Sequence, residues 1–137
     1  MTQALAIINR IAQSLTGTLP NNVVIDTDRV GSYDREEMPY ILVTPDSEET
    51  VRHDTTYDIT TLIVHVEIGV RAQAWKAAAD GYADAINTIL MADANLKTLI
   101  VRIRRHGKKW DAHETDLTSG ALTLIYDVMY LSLINQI

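Results

Sequence analysis

Thr61-Leu-Ile-Val-His-Val-Glu-Ile-Gly-Val-Arg71 is the stretch on which the fold turns. Leu62, Val64, Val66, Ile68 and Val70 alternate with Thr61, Ile63, His65, Glu67 and Gly69. A period of two puts the first set on one face of an extended chain. The alternation predicts a strand from about Thr55 to Arg71 with one wholly aliphatic face. Thr50 to Asp54 reads as the outgoing arm of a hairpin with it. The polar Arg52-His53-Asp54 suggests a two-stranded projection suited to a partner.

Working upstream, Tyr40-Ile-Leu-Val43 is a second candidate strand, bounded by Pro39 and by Pro45-Asp46-Ser47, and Val23 to Ile25 is a third, shorter one. The charged segment Asp26 to Met38 lies between them and reads as a surface loop. At the N-terminus, Leu5, Ile8, Ala12 and Leu15 recur at steps of three and four, which predicts a helix capped by Thr2 and ended near Gly17.

Downstream, Trp75, Ala78, Ala79, Tyr82, Ile86, Ile89 and Leu90 share one helical face between Gln73 and Met91, with Lys76, Asp80, Asp84 and Asn87 opposite. Gly81 costs this helix about 1 kcal/mol relative to Ala, so a packing reason for it is expected. A strand through Leu99, Val101 and Ile103 is expected to end at Gly107-Lys-Lys109, and Ala121 to Leu133 reads as a strand central to the sheet. These elements predict one α+β domain over residues 1–137: a mixed, mostly antiparallel sheet with a long β-hairpin and two helices packed on it.

A chain of 137 residues fits one core, and 47% hydrophobic against 22% charged residues places it among globular sequences. With no Cys there is no disulfide, thiol nucleophile or thiolate metal site. No apolar run reaches the roughly 18 residues of a spanning helix, so no membrane contact is expected, and Met1 to Arg10 lacks the basic start of a secretory signal.

The six glycines never take a phosphate-cradling spacing, and no G-x-S-x-G elbow occurs. Glu36-Glu37 and Glu48-Glu49 would form an acid/base pair only if buried face to face. His53, His65, His106 and His113, with Asp111 and Glu114, have no diagnostic metal spacing. No catalytic residue, cofactor or metal is expected.

Charge is the informative property. The net charge of −6 hides ten acids against three bases between Asp26 and Asp58, and five bases with no acid between Arg102 and Lys109. Three readings compete for the basic cluster Arg102, Arg104, Arg105, Lys108 and Lys109. It could follow a phosphate backbone with Trp110 stacking on bases, making a small nucleic-acid-binding module of residues 102–109. It could meet acids drawn from Glu36, Glu37, Asp46, Glu48 and Glu49 on a second copy, since a head-to-tail interface needs two complementary surfaces on one subunit. It could also be a solvated edge whose charges prevent strand aggregation. The second reading accounts for both poles.

Ile100-Val-Arg-Ile-Arg104, Trp110-Asp-Ala-His-Glu-Thr-Asp116 and Gly120-Ala-Leu-Thr-Leu-Ile-Tyr-Asp-Val-Met-Tyr130 resemble the tail terminator proteins of long-tailed bacteriophages, of the minor tail protein U type. Met38-Pro-Tyr-Ile-Leu-Val43 is similar to the early Pro-bounded strand of that family, and the order of elements agrees over nearly the whole chain. The resemblance implies a non-enzymatic virion tail protein assembled in the host cytoplasm. Six copies would form a ring on the tail tube protein, stop tube growth and present a surface to the head-tail connector, with DNA passing through the lumen. Neck and tail-completion proteins that join head to tail share similar folds.

Overall fold

The chain is described by a computed structural model over residues 2–28, 33, 37–112 and 119–134. Its centre is the antiparallel pair of strands β3 (Tyr57–Arg71) and β5 (Ser119–Leu133), in register along their full length from Tyr57 opposite Leu133 to Arg71 opposite Ser119. Strand β2 (Tyr40–Arg52) pairs antiparallel with β3, β4 (Arg102–Ala112) antiparallel with β5, and the short β1 (Val24–Asp26) parallel with the start of β2. The five-stranded order is β1-β2-β3-β5-β4. The expected α+β architecture is therefore present, with β5 inside the sheet.

The alternation in β3 does what its period predicts. Leu62, Val64, Val66 and Ile68 are fully buried, as are Leu122, Leu124, Tyr126 and Val128 across the ladder on β5. Helix α1 (Gln3–Thr18) and helix α2 (Trp75–Ala92) cover this face through Ile7, Ile8, Ile11 and Leu15 of the first and Ala79, Ala83, Ile86 and Leu90 of the second. The small residues of α2 let its backbone approach the sheet closely. The other face, carrying Ile63, His65, Glu67, Thr123 and Ile125, remains half-buried.

Thr2 caps α1 as expected, its hydroxyl accepting from the Leu5 N–H at 3.3 Å. The buried stripe is rotated from the expected one: Ala4, Ile7, Ile11 and Ser14 face inward with Ile8 and Leu15, while Leu5 is 48% exposed. The helix ends at Thr18, one residue past Gly17. A one-turn helix α3 (Ala94–Lys97) follows α2 and was not legible in the sequence.

Two expected strand ends are absent. Strand β2 runs straight through Pro45-Asp46-Ser47 to Arg52, with a bulge at Asp46. Because β1 pairs only with Tyr40 to Leu42, the rest of β2 has no outer neighbour among the described residues, and an edge strand tolerates a residue without an N–H. Strand β4 likewise passes through Gly107-Lys-Lys109 to Ala112 with a bulge at His106. The hairpin tip is not a two-stranded projection, since β5 accompanies β3 as far as Tyr57.

Two glycines are sites of aromatic contact. A Cβ on Gly69 would lie 1.8 Å from the Tyr40 ring, and one on Gly120 would lie 2.6 Å from the Trp75 indole. Tyr40 is held from both sides. Tyr33 stacks on it at 3.7 Å between centroids, and the Tyr40 hydroxyl donates to Glu67 Oε2 at 2.7 Å. Burial, followed by the Glu67 bond, pushes the Tyr40 phenol well above its ordinary range. Gly81 has no such reason: it is exposed, with nothing within 4 Å of a built Cβ.

The helical layer is joined by Arg10 and Asp93. The guanidinium donates from Nε to Oδ2 at 3.0 Å and from Nη2 to Oδ1 at 3.2 Å, while Asp93 Oδ1 also accepts from the Asn95 and Leu96 N–H groups that begin α3. Burial raises the Asp93 pKa, but the bonds from Arg10, Leu96 and Ser14 together outweigh it and hold the carboxyl below its ordinary value.

Gly69→Ala and Gly120→Ala are expected to destabilise the fold by about 1–3 kcal/mol through overpacking, whereas Gly81→Ala gains up to about 1 kcal/mol; urea unfolding midpoints check both signs. A depressed folded-state pKa contributes stability that is complete above the ordinary carboxylate value and lost as pH falls through the folded one. The stability of the wild-type chain should thus fall below about pH 4 with a component that Asp93→Asn removes, at a cost of about 1–3 kcal/mol at neutral pH. Thermal melts between pH 2 and 7 would show this.

Candidate functional site

The basic cluster occupies one edge of the sheet. Among the described residues strand β4 pairs only with β5, and its pleat divides the cluster between faces. Arg102 and Arg104 stand opposite Met129 and Asp127, on the face without helices, as does Lys109 opposite Thr123. Arg105 and Lys108 stand opposite Tyr126 and Leu124, on the helical side, with Trp110 opposite Leu122. Trp110 packs against Trp75 at 6.1 Å and 57°, so its indole shares a face with Arg105 and Lys108 but not with Arg102, Arg104 or Lys109.

The acids divide differently. Asp46, Glu48 and Glu49 are exposed on the free stretch of β2, which forms the other edge of the sheet beyond the three residues covered by β1. Glu37 precedes β2 and is half-buried near its other end. Nine residues of extended chain, roughly 30 Å, separate Tyr40 from Glu49, so Glu37 belongs to a different part of the surface. Glu36 lies outside the described residues.

The registers place these two edges at the same height. Glu49 pairs with Thr61, Thr61 with Met129 and Met129 with Arg102, which is one rung across four strands. The next runs Ser47, Ile63, Asp127, Arg104, and the one after it Pro45, Val64, Tyr126, Arg105. Acid and base thus occupy opposite edges of one sheet, three inter-strand spacings or about 14 Å apart.

Several of these side chains have partners within the chain. Arg104 Nη2 donates to Asp127 Oδ2 at 2.8 Å, and His106 Nδ1 lies 3.5 Å from the same oxygen. Asp127 is 8% exposed and its other oxygen, Oδ1, is buried without a hydrogen-bond partner. Arg104 therefore neutralises a buried carboxylate. Lys108 pairs with Asp80 of α2 at 3.2 Å, and Arg102 reaches the Met129 sulfur at 3.0 Å. Glu48 hydrogen-bonds Tyr130, whose phenol is raised first by burial and then by that acid. Tyr126, pushed up to about 12 by burial against the opposing pull of Arg105, donates to Asn87 Oδ1 at 3.2 Å.

Of the residues singled out in the sequence, the structure gathers Arg102, Arg104, Arg105, Lys108 and Lys109 on one edge and Asp46, Glu48 and Glu49 on the other. The sequence reasoning missed Asp127, although a lone acid within the apolar run Leu122 to Leu133 was a readable signal. It also missed Val51 and Val101, 53% and 57% exposed at the same end of the two edges. Nothing in an aliphatic residue's own identity marks it as uncovered.

Among the described residues no three His, Asp or Glu side chains gather as a metal site requires, and no helix is long and apolar enough to cross a membrane. His65 approaches Asp46 at 4.0 Å, and His113 and Glu114 lie outside the described residues. A surface hollow of about 790 Å³ between α1 and β1 is bordered by Asn9, Gln13, Thr16, Asp26 and Asp28. Asp26 is already the acceptor for the Tyr33 hydroxyl at 2.9 Å.

Arg104→Leu is expected to cost about 1–3 kcal/mol, because it strands the Asp127 carboxylate. Adding Asp127→Leu should recover most of that loss, a coupling that chemical denaturation of the double-mutant cycle measures.

No family model matches the chain, and no curated protein does. Among solved structures, the chain is similar to one from the virion of a native gene transfer agent particle, with 11% sequence identity, a TM-score of 0.49 and 93% of each chain covered.

Proposed function

We propose that the protein is a structural component of a phage tail, a terminator that assembles as a ring, a hexamer by the resemblance above, on the last ring of the tail tube. The observation that carries this reading is the separation of charge between the two edges of one sheet. A subunit with a basic edge and an acidic edge at the same height is complementary to its own copy, and such heterologous contacts close into a ring when the rotation permits. The likeness of Ile100 to Arg104 and Gly120 to Tyr130 to the terminator family supports the same assignment.

In this role the chain has no reaction to catalyse. It acts by occupying the tube end and offering its outer surface to the head-tail connector, within the virion, after assembly in the host cytoplasm. Basic side chains not used between subunits would face the genome as it passes through the lumen. Arg104 is better matched to its internal role with Asp127 than to a contact between copies, which shifts the interface toward Arg102 and Arg105.

Negative-stain images and light scattering of the purified protein at high concentration should show a ring of defined rotational symmetry, weakened by salt as exposed charge pairs are screened. Particles made without the protein should carry overlong tails. Tails of normal length lacking heads would make it a head-tail joining protein instead, and steeply salt-dependent DNA binding by a monomer would make it a nucleic-acid-binding module.

A further inference from the structure

The edges agree in more than charge. Going from β2 to β3, β5 and β4 the chain direction reverses three times, so β2 and β4 run antiparallel within a subunit. A second copy placed beside the first by lateral displacement therefore presents its β2 antiparallel to this β4, which is the pairing used by every long ladder of the sheet. Among the described residues nothing pairs with either edge along the relevant stretch: Val43 to Arg52 on one side, Arg102 to Ala112 on the other.

We infer that copies join head to tail by strand addition, the free stretch of β2 of one subunit pairing antiparallel with β4 of the next so that a single sheet continues from copy to copy. This rests on the ring reading above and specifies its contact. The register follows from the residues. With no stagger, Glu49 stands opposite Arg102, Ser47 opposite Arg104 and Pro45 opposite Arg105, with Asp46 in the bulge between the last two rungs. Arg102 and Arg105 are the two arginines of β4 without an ion pair among the described residues, and Asp46 and Glu49 are exposed. Arg104, committed to Asp127, is left a neutral serine.

A slip of one residue would turn the side chains of β2 to the opposite face and separate Glu49 from Arg102. Just beyond this end of the ladder, Val51 and Val101 are both more than half exposed and lie next to the junction. Pro45 and the bulges at Asp46 and His106 interrupt both edges at neighbouring rungs. They confine the regular ladder to Ser47 to Glu49 against Arg102 to Arg104. They also guard the remaining edge against unspecific pairing.

The absence of Cys makes a direct test possible. Within one chain Glu49 and Arg102 are separated by about 14 Å, too far for a disulfide, whereas directly opposed residues of neighbouring strands have Cβ atoms about 5 Å apart. The Glu49→Cys/Arg102→Cys variant should give, on mild oxidation, a ladder of covalent oligomers up to the size of the wild-type ring. The Glu49→Cys/Lys109→Cys variant should not. A second measurement uses charge. Arg102→Glu/Arg105→Glu and Asp46→Lys/Glu49→Lys should each lose assembly alone, and an equimolar mixture should regain it through alternating copies.

Wild-type rings with no covalent ladder from Glu49→Cys/Arg102→Cys would overturn strand addition while leaving the ring reading in place. A ladder from the Lys109 variant in its stead would overturn the register. A wild-type chain that stays monomeric at every concentration, alone and with tail tubes, would overturn both. All substituted positions are exposed, and unchanged circular dichroism melts would show that folding is retained.

Discussion

The pairing of β3 with β5 is the constraint on which the remaining structure depends. Fifteen residues of each strand are in continuous antiparallel register, and one face of that ladder is sealed from water by α1 and α2. Nearly every large buried aliphatic either lies on these two strands or packs onto them. Because the apolar face is shared, a slip of either strand would expose its set of Val, Leu and Ile at once. The register is therefore strongly specified, and with it the height of every residue on β2 and β4.

That rigid register gives the two edges their meaning. Side chains forty or more residues apart in sequence are brought to common rungs by a ladder that cannot slide. The charge segregation visible in the composition becomes a geometric one, acid on one edge and base on the other. The same frame removes some candidates from availability. Arg104 is drawn to a buried carboxylate, Lys108 to α2 and Glu48 to Tyr130, so residues equivalent by charge differ in what they are free to do.

Local signals were legible where the chain obeys one periodicity and misleading where tertiary context overrides local chemistry. The strands β3 and β5 and the inner face of α2 were readable because burial on one side imposes a period of two or 3.6. Pro45 and Gly107 read as terminators, yet both lie within edge strands, where a missing N–H or a bulge costs little. Gly81 suggested a close contact that is absent, while Gly69 and Gly120, unremarkable in sequence, are the two against which aromatic rings rest. Which glycine meets a ring depends on residues distant in the chain: Tyr40 for one and Trp75 for the other.

By itself the sequence determined the class of fold, the central place of Ala121 to Leu133, the single aliphatic face and the existence of one acidic and one basic segment. These follow from hydrophobic periodicity and from the count of charges, which are properties of neighbouring residues. Only the tertiary structure decided that the two charged segments lie on opposite free edges, that they stand at equal height and that one arginine among them serves the interior. Strand order and register are set by pairing between distant segments, and no local pattern carries that information.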